Sequence, residues 1–430
     1  MPEVLFIEPC DFESFPVGGQ LSFARQMMTA FGNHLALVGI STDDTPTGRW
    51  VTKQFDGRRY SFLAVGRRAA SGVRPLVPAR VTAYLDISKC RKQILESGIR
   101  SVFTQSPETL MAISKWGWDS LCYMSPGHAN PLKMARYIWA RPFAPLYDVK
   151  LFAALKSADV ILACADKRAI TALAQRSRGL LSADRIIQFS TRVDTSVFRP
   201  MPRQQAREAL GFDSGLRSRF GGVGGPGPVI VTCGRINKVK GWNLLVQAFV
   251  LFRGAHRDAR LVFVGDGEDR PILQQAIHEQ GLAGSVLITG FQPPAKVVQY
   301  LNAADVVVVG SYKEGWSVAM LEALACGRAV VSTDVSGARD MVVNGQNGFV
   351  VPDRNPRLFA TAMAQALKIK TPNDVSLSIA QKYSLGSLRS DLSRLWKPLA
   401  APRNRAPSPV TRHSSDEGRA MNDEERACFS

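Results

Sequence analysis

No apolar run in the 430-residue chain reaches the ~18–20 residues that a bilayer-spanning helix needs, so no such helix is expected. The seven cysteines form no Cys-x-x-Cys pair and no metal-ligand spacing. Cys10, Cys90, Cys122, Cys164, Cys233, Cys326 and Cys428 are scattered, mostly in apolar contexts. They read as buried free thiols of a reducing compartment. The first residues, MPEVLFIEPCDFE, are acidic and lack the basic start and long apolar core of a secretory signal. A cytoplasmic protein is expected. The Gly-x-Gly-x-x-Gly fingerprint does not follow the first strand, where PVGGQLSFA stands, and this speaks against a dinucleotide-dependent oxidoreductase.

Acid is also in short supply. There are 36 Asp and Glu against 54 Lys and Arg, a formal net charge of +18. Such an excess points to nucleic acid, an anionic membrane surface or phosphorylated small molecules. It is uneven, because residues 51–100 hold 11 Lys/Arg against 3 Asp/Glu. Arg58–Arg59, Arg67–Arg68, Arg74, Arg80, Arg91 and Lys92 belong to this stretch, with Phe62, Leu63, Val65, Val73, Leu76 and Val77 between them. It reads either as a solvated basic face or as a docking surface for anionic lipid or a phosphate-bearing acceptor. No recognisable nucleic-acid reader accompanies the charge, so nucleic acid is not expected as a partner.

What is present is a regular alternation. VLFIEP (4–9), HLALVGI (34–40), SVFTQ (101–105), SLCYM (120–124), ADVILACA (158–165) and RIIQFS (185–190) read as strands, with helical stretches between several of them. The Gly/Pro-rich stretch near residues 211–228 is a connector, after which the alternation restarts at VIVTCG (229–234). Strands ARLVFVGDG (259–267), VLITG, DVVVVG (305–310), RAVVSTD (328–334) and GFVVP follow, each separated by a helix. The length suits two or three domains. We expect an α/β protein of two facing, Rossmann-like doubly wound parallel sheets, with residues 1–200 in the first domain and 201–378 in the second. The stretch from about residue 400 to the end is rich in Pro, Ser and charge and is expected to be disordered.

The suggestive residues fall after strand ends, where open α/β sheets bind ligands. Glu314 and Glu322 lie in KEGWSVAMLEALACG, just past DVVVVG. A helix starting near Ser317 would aim its unpaired N–H groups and the positive end of its dipole at the preceding loop, a ready site for a phosphate. Gly234–Arg235 and Lys240–Gly241 stand in CGRINKVKGW, where two cations could neutralise a diphosphate. Gly265-Asp266-Gly267 is a tight turn after LVFV. Gly18 and Gly19 follow the first strand, and His128 follows a later one in YMSPGHANP. Taken singly, each has a plain structural alternative.

As an ordered set these residues resemble glycosyltransferase family 4, retaining transferases that use nucleotide sugars and have the GT-B fold. GRINKVKG, FVGDG, EGWSVAMLEALACGRAVVSTDVSGARDMV and NGQNGFVVP follow the family's order and spacing from about Val229 to Leu367. Across residues 1–200 the likeness rests on PVGGQ, His128 and VDTSVFRP. The resemblance implies a donor diphosphate held by Arg235 and Lys240, ribose hydroxyls on Glu322 and the donor sugar near Glu314. Backbone N–H groups of Gly315, Trp316, Ser317 and Val318 would contact sugar and phosphates. Gly234, Gly265, Asp266 and Gly267 would line the donor pocket, with Gly18 and Gly19 facing the diphosphate from the other domain. His128 would assist at the reaction centre. No metal or other cofactor is implied, and no Asp-x-Asp motif stands near the site. The helix near 379–399 would cross back onto the first domain.

One position departs from the family pattern. Ser190-Thr191-Arg192-Val193-Asp194 replaces the usual Asn-Gly ahead of Val-Asp, which places a bulky cation where glycine is preferred. The reading is a hexosyl transfer to a glycan or lipid-linked acceptor, as in bacterial surface polysaccharide synthesis, with peripheral membrane contact through 51–100. A non-catalytic sugar-nucleotide-binding subunit, or an epimerase on the same fold, is the alternative.

Overall fold

In the computed structural model, residues 2–16, 18–68, 78–127, 129–133, 138–212 and 227–399 are described. Short runs of β-branched and aromatic residues form the strands, and most are buried on both faces, as parallel sheets flanked by helices require. The first sheet holds β1 (Val4–Ile7), β2 (Leu35–Ser41), β3 (Trp50–Phe55), β4 (Arg58–Arg67), β5 (Ser101–Thr104), β6 (Ser120–Ser125), β7 (Val160–Ala163) and β8 (Ile186–Gln188). Their order is β3-β4-β2-β1-β5-β6-β7-β8. The second sheet holds β9 (Val229–Cys233), β10 (Arg260–Val264), β11 (Val286–Ile288), β12 (Val306–Val309), β13 (Ala329–Thr333) and β14 (Gly348–Val351), ordered β11-β10-β9-β12-β13-β14. All pairs are parallel except β3 with β4. In each sheet the first strand in sequence sits inside, and the order reverses beside it. That reversal opens a crevice at the carboxyl ends of β1 and β5, and another at those of β9 and β12.

The hairpin β3–β4 is absent from the strand assignments made on sequence. Its turn is Asp56-Gly57 with φ of 45° and 77°, the left-handed pair that suits a two-residue hairpin. The hairpin also corrects the reading of the basic segment. Phe62, Leu63 and Val65 are buried in β4 and face the core, so they are not part of an exposed apolar surface. Arg67 pairs with Asp44 and Arg68 with Asp86. Arg74, Val73, Leu76 and Val77 lie outside the described residues. So do most of the Gly/Pro-rich connector and everything from residue 400 on.

The helix Leu385–Leu395 packs on Gly19–Phe31 of the first domain. Its last turn leads to Trp396, buried against Phe103 with its Nε1 donating to Ser120 Oγ at 2.8 Å. Where the chain passes between domains, Val193 bridges to Ser384 in parallel, with Val193 N donating to Tyr383 O at 2.9 Å. One buried apolar cluster runs from Val4 and Phe103 through Trp316 to Leu388 and Leu392, joining both domains.

Candidate active site

The second domain supplies a cation and a carboxylate that meet. Beyond β9, Asn237 accepts a bond from Lys240 N at 3.1 Å and caps the turn Lys238–Lys240. Lys240 Nζ then donates to Glu314 Oε1 at 2.7 Å. The same oxygen accepts from Ser311 Oγ at 2.7 Å, so the loop after β12 is held to the loop after β9. Glu314 is mostly buried and Lys240 half-open.

Arg235, two residues past the end of β9, points elsewhere. Its Nε donates to Glu268 Oε2 at 2.8 Å on an exposed edge. The turn beside it is tight: a Cβ at Gly265 would lie 2.0 Å from the Gly234 carbonyl, so the two strand ends approach closely because Gly265 lacks a side chain. Asp266 accepts from Gly267 N at 2.8 Å and from Arg270 Nη1 at 2.7 Å, which ties it into its own loop.

The helix after Glu314 runs Val318–Ala325, with Ser317 as N-cap accepting from Met320 N at 3.4 Å. Trp316 turns inward, its ring edge-on to Tyr383 at 5.3 Å. Only its backbone is left to face a ligand. Glu322, one turn into the helix from Val318, is half-buried beside Cys233, and its carboxyl makes no hydrogen bond among the described residues. Burial pushes its carboxyl up to about 8.

The two domains enclose a cavity of about 940 Å³. Lys240, Lys313, Glu314 and Gly315 line it from the second domain; Gln20, Arg80, Tyr123 and Arg176 line it from the first. Arg235 is not among the described residues on its wall. Four cations line the wall with one carboxylate, and three of them are held in ion pairs, Arg80 with Glu108, Arg176 with Asp148 and Lys240 with Glu314, pairs that an anionic ligand could compete for. Burial and the nearby Arg176 both lower the Lys313 pKa. Gly18 and Gly19 open the helix Gly19–Phe31, whose Gln20 reaches the wall; a Cβ on either glycine would meet nothing within 4 Å. The protein itself therefore leaves free space in front of both. His128 lies outside the described residues, though its neighbours Gly127 and Ala129 line the cavity. Behind Gln20, Glu8 is buried at the end of β1 and accepts from Gln105 N at 3.0 Å. Burial pushes it up to about 8 as well.

The cavity is closed at one side by direct contact. A Cβ at Gly315 would lie 2.9 Å from the Pro126 carbonyl and 3.1 Å from that of Cys164, so the loop carrying Glu314 rests on the strand ends of the other domain. Beside it, Arg168 forms a two-pronged pair with Asp334, both contacts at 2.9 Å, and Asp166 N donates to Ser336 Oγ at 2.9 Å. Arg339 and Arg168 together hold the Asp334 carboxyl down at about 2.

Several of these residues carry no motif. Lys313 could have been suspected from its place beside Glu314, and Arg80 from the basic segment. Arg176 ends an amphipathic helix with nothing local to mark it, and the Arg168–Asp334 pair joins residues far apart in sequence.

Two facing parallel-sheet domains with a cation-lined cleft at their strand ends define the GT-B architecture of glycosyltransferases. A sucrose-phosphate synthase of Thermosynechococcus elongatus has the same fold, with a TM-score of 0.72 over 92% of this chain and 99% of that one, at 17% identity. Residues 219–381 match the family model Glycosyl transferases group 1. Over 185 residues the chain is 32% identical to a D-inositol 3-phosphate glycosyltransferase of Jonesia denitrificans, covering 41% of each. Over 173 residues it is 33% identical to a 2-deoxystreptamine glucosyltransferase of Streptomyces kanamyceticus, covering 40% of this chain and 44% of that one. The matched part thus spans about two fifths of the length of these curated relatives.

Proposed function

We propose that the protein is a retaining hexosyltransferase that moves a sugar from a nucleoside diphosphate sugar to a hydroxyl of a glycan or lipid-linked acceptor. The setting we infer is bacterial surface polysaccharide synthesis on the cytoplasmic side of the membrane. The observation that carries this reading is the Lys240–Glu314 pair on the wall of a cation-lined cavity shared by both domains. A ligand phosphate would compete with Glu314 for Lys240 and release the carboxylate toward the sugar. Arg235 would exchange Glu268 for the diphosphate when the donor enters.

In the proposed reaction the bond from the sugar's anomeric carbon to the diphosphate breaks, and a bond to the acceptor oxygen forms on the same face. The acceptor's proton passes to the departing diphosphate oxygen. The protein's part is then charge stabilisation and positioning rather than strong-base catalysis. Lys240 and Arg235 stabilise the leaving group, and the reading calls for no metal. Backbone N–H groups of Gly315 to Val318, at the amino end of a helix, face the same anion. Glu322 has hydrogen-bonding capacity to spare and a neutral carboxyl at pH 7, so it can both donate to and accept from the ribose hydroxyls.

The test is a thermal-shift screen with UDP-, GDP-, ADP- and dTDP-hexoses, followed by product analysis with and without acceptor. A productive donor raises the unfolding temperature by mass action. Stabilisation by no nucleotide sugar would overturn the reading, and release of an isomerised sugar without acceptor would replace it with an epimerase.

A further inference from the structure

Helices of a soluble domain normally turn polar residues outward. The segment from Ile138 through the helix Ala144–Leu155 does not. Ile138 is 70% exposed, Trp139 and Val149 60%, and Phe143 and Leu146 55%. On the helix, Leu151, Phe152 and Leu155 point into the core, while Leu146 and Val149 share the opposite, solvent side. Three more exposed apolar residues, Val81, Tyr84 and Leu85, lie on the helix Ala79–Lys89. Eight of the 17 large exposed apolar side chains among the described residues thus fall in two short segments.

The two segments are fastened together. Arg80 Nη1 donates to Glu108 Oε1 at 2.9 Å and Tyr147 Oη donates to the same oxygen at 2.8 Å, so a buried carboxylate on the intervening helix Pro107–Ile113 links them. Both segments also reach the mouth of the cavity, where Val81, Trp139 and Phe143 form part of its wall. The result is a continuous apolar lip beside the proposed active site.

Charge decides what covers it. The acids on these elements are already partnered within the protein: Asp86 by Arg68, Glu108 by Arg80 and Asp148 by Arg176. Lys133, Arg141, Lys150 and Lys156 are exposed and have no acidic partner among the described residues. Apolar side chains that include a tryptophan, set among unpaired Lys and Arg, match the interfacial layer of an anionic bilayer, which takes the apolar groups into its acyl boundary and the cations at its headgroups.

We propose that this face, and not the hairpin β3–β4 of the basic segment, seats the protein on an anionic lipid bilayer, with Leu146 and Val149 entering the headgroup layer and the cavity mouth opening onto the membrane. It rests on the transferase reading only for its purpose, presenting the cavity to a lipid-borne hydroxyl. Docking itself needs neither donor nor acceptor.

The test is flotation of the full chain with phosphatidylcholine vesicles, with and without roughly one-third phosphatidylglycerol. The wild type should float with the anionic vesicles and much less with the zwitterionic ones. Leu146→Glu with Val149→Glu, at exposed positions off the cavity wall, should weaken binding about tenfold or more while the unfolding temperature holds. Lys150→Glu should weaken it less and steepen no salt dependence. The proposal fails if the wild type does not float, or if the double variant floats like the wild type. It also fails if Arg58→Glu with Arg59→Glu abolishes flotation while the double variant keeps it. If the double variant only turns a dimer into a monomer, the face is a self-association surface and the proposal is likewise overturned. Because no nucleotide sugar is present, failure here leaves the transferase reading to its own test.

Discussion

Lys240 and Glu314 neutralise one another at 2.7 Å across the gap between the loops that follow β9 and β12. The two residues are 74 positions apart, yet the parallel pairing of those neighbouring strands brings their loops to one crevice. The pair holds the cation in place without a ligand and leaves it exchangeable, because Lys240 remains half-open. A buried pair of ideal geometry would resist exchange.

Lys240→Ala should lower kcat/KM by about 10²-fold or more, the size expected for losing one preorganised charge at a developing anion. The unfolding temperature should change little, since a partly exposed pair contributes only ~1 kcal/mol or less. Steady-state kinetics with the donor found by screening, alongside calorimetry, checks both. Unchanged turnover would remove Lys240 from the diphosphate site.

Arg168 and Asp334 span the domains, and their separation should open the cleft. Arg168→Ala is expected to raise KM for the donor more than it lowers kcat, and to increase the radius of gyration in small-angle scattering. A double-mutant cycle with Asp334→Ala should give a coupling of ~1 kcal/mol. Because the Asp334 carboxyl is held down at about 2, this contribution is present above the ordinary carboxylate range and lost as pH falls through about 2.

Glu8 and Glu322 act in the opposite sense. Both are pushed up to about 8, so the folded protein keeps protons that the unfolded chain releases above about 4.5. Their contribution is complete below that value and lost as pH rises toward about 8. The unfolding temperature should therefore fall across that window, and Glu8→Gln should flatten the slope. A slope unaltered by Glu8→Gln would show that other groups carry it.

Arg192 stands where the family prefers glycine, and here it is built into the structure. Its Nη2 donates to Asp391 at 3.0 Å, Nη1 to Ser190 Oγ at 2.6 Å, and its guanidinium lies 4.6 Å from the centre of the Phe189 ring. Gln26 on the helix Gly19–Phe31 brackets its backbone, donating to its carbonyl at 2.6 Å and accepting from its N–H at 3.2 Å. Arg192→Gly should cost about 1–2 kcal/mol, because the buried guanidinium loses its packing and hydrogen bonds while Asp391, partly exposed, keeps Arg394. Denaturant melts should show it, together with faster proteolysis near the helix Leu385–Leu395. A neutral outcome would mean that the bulky residue is tolerated rather than used.

The strands of both sheets were legible because each is a short apolar run bounded by turn residues, and burial on two faces writes itself into composition. The hairpin β3–β4 was not read, although Asp56-Gly57 between alternating segments is its local signal. The basic charge around it masked the pattern, and its apolar side turned out to be core. The helix at Ser317 was legible from its Ala/Leu/Met-rich composition, and Glu314 and Glu322 from their place beside it.

By itself the sequence determined the α/β repeat, the strand ends where ligands meet the sheets, and the family motifs of the second domain. These depend on neighbours within a few residues or on an ordered series of them. Only the tertiary structure decided that Lys240 pairs with Glu314 while Arg235 pairs with Glu268, and that Arg80, Arg176 and Lys313 share one cavity. It also decided that Phe62 and Leu63 are buried while Leu146 and Val149 face outward. Such facts depend on which strands lie side by side and which helix face meets the core. Those are relations between distant segments, and no local spacing encodes them.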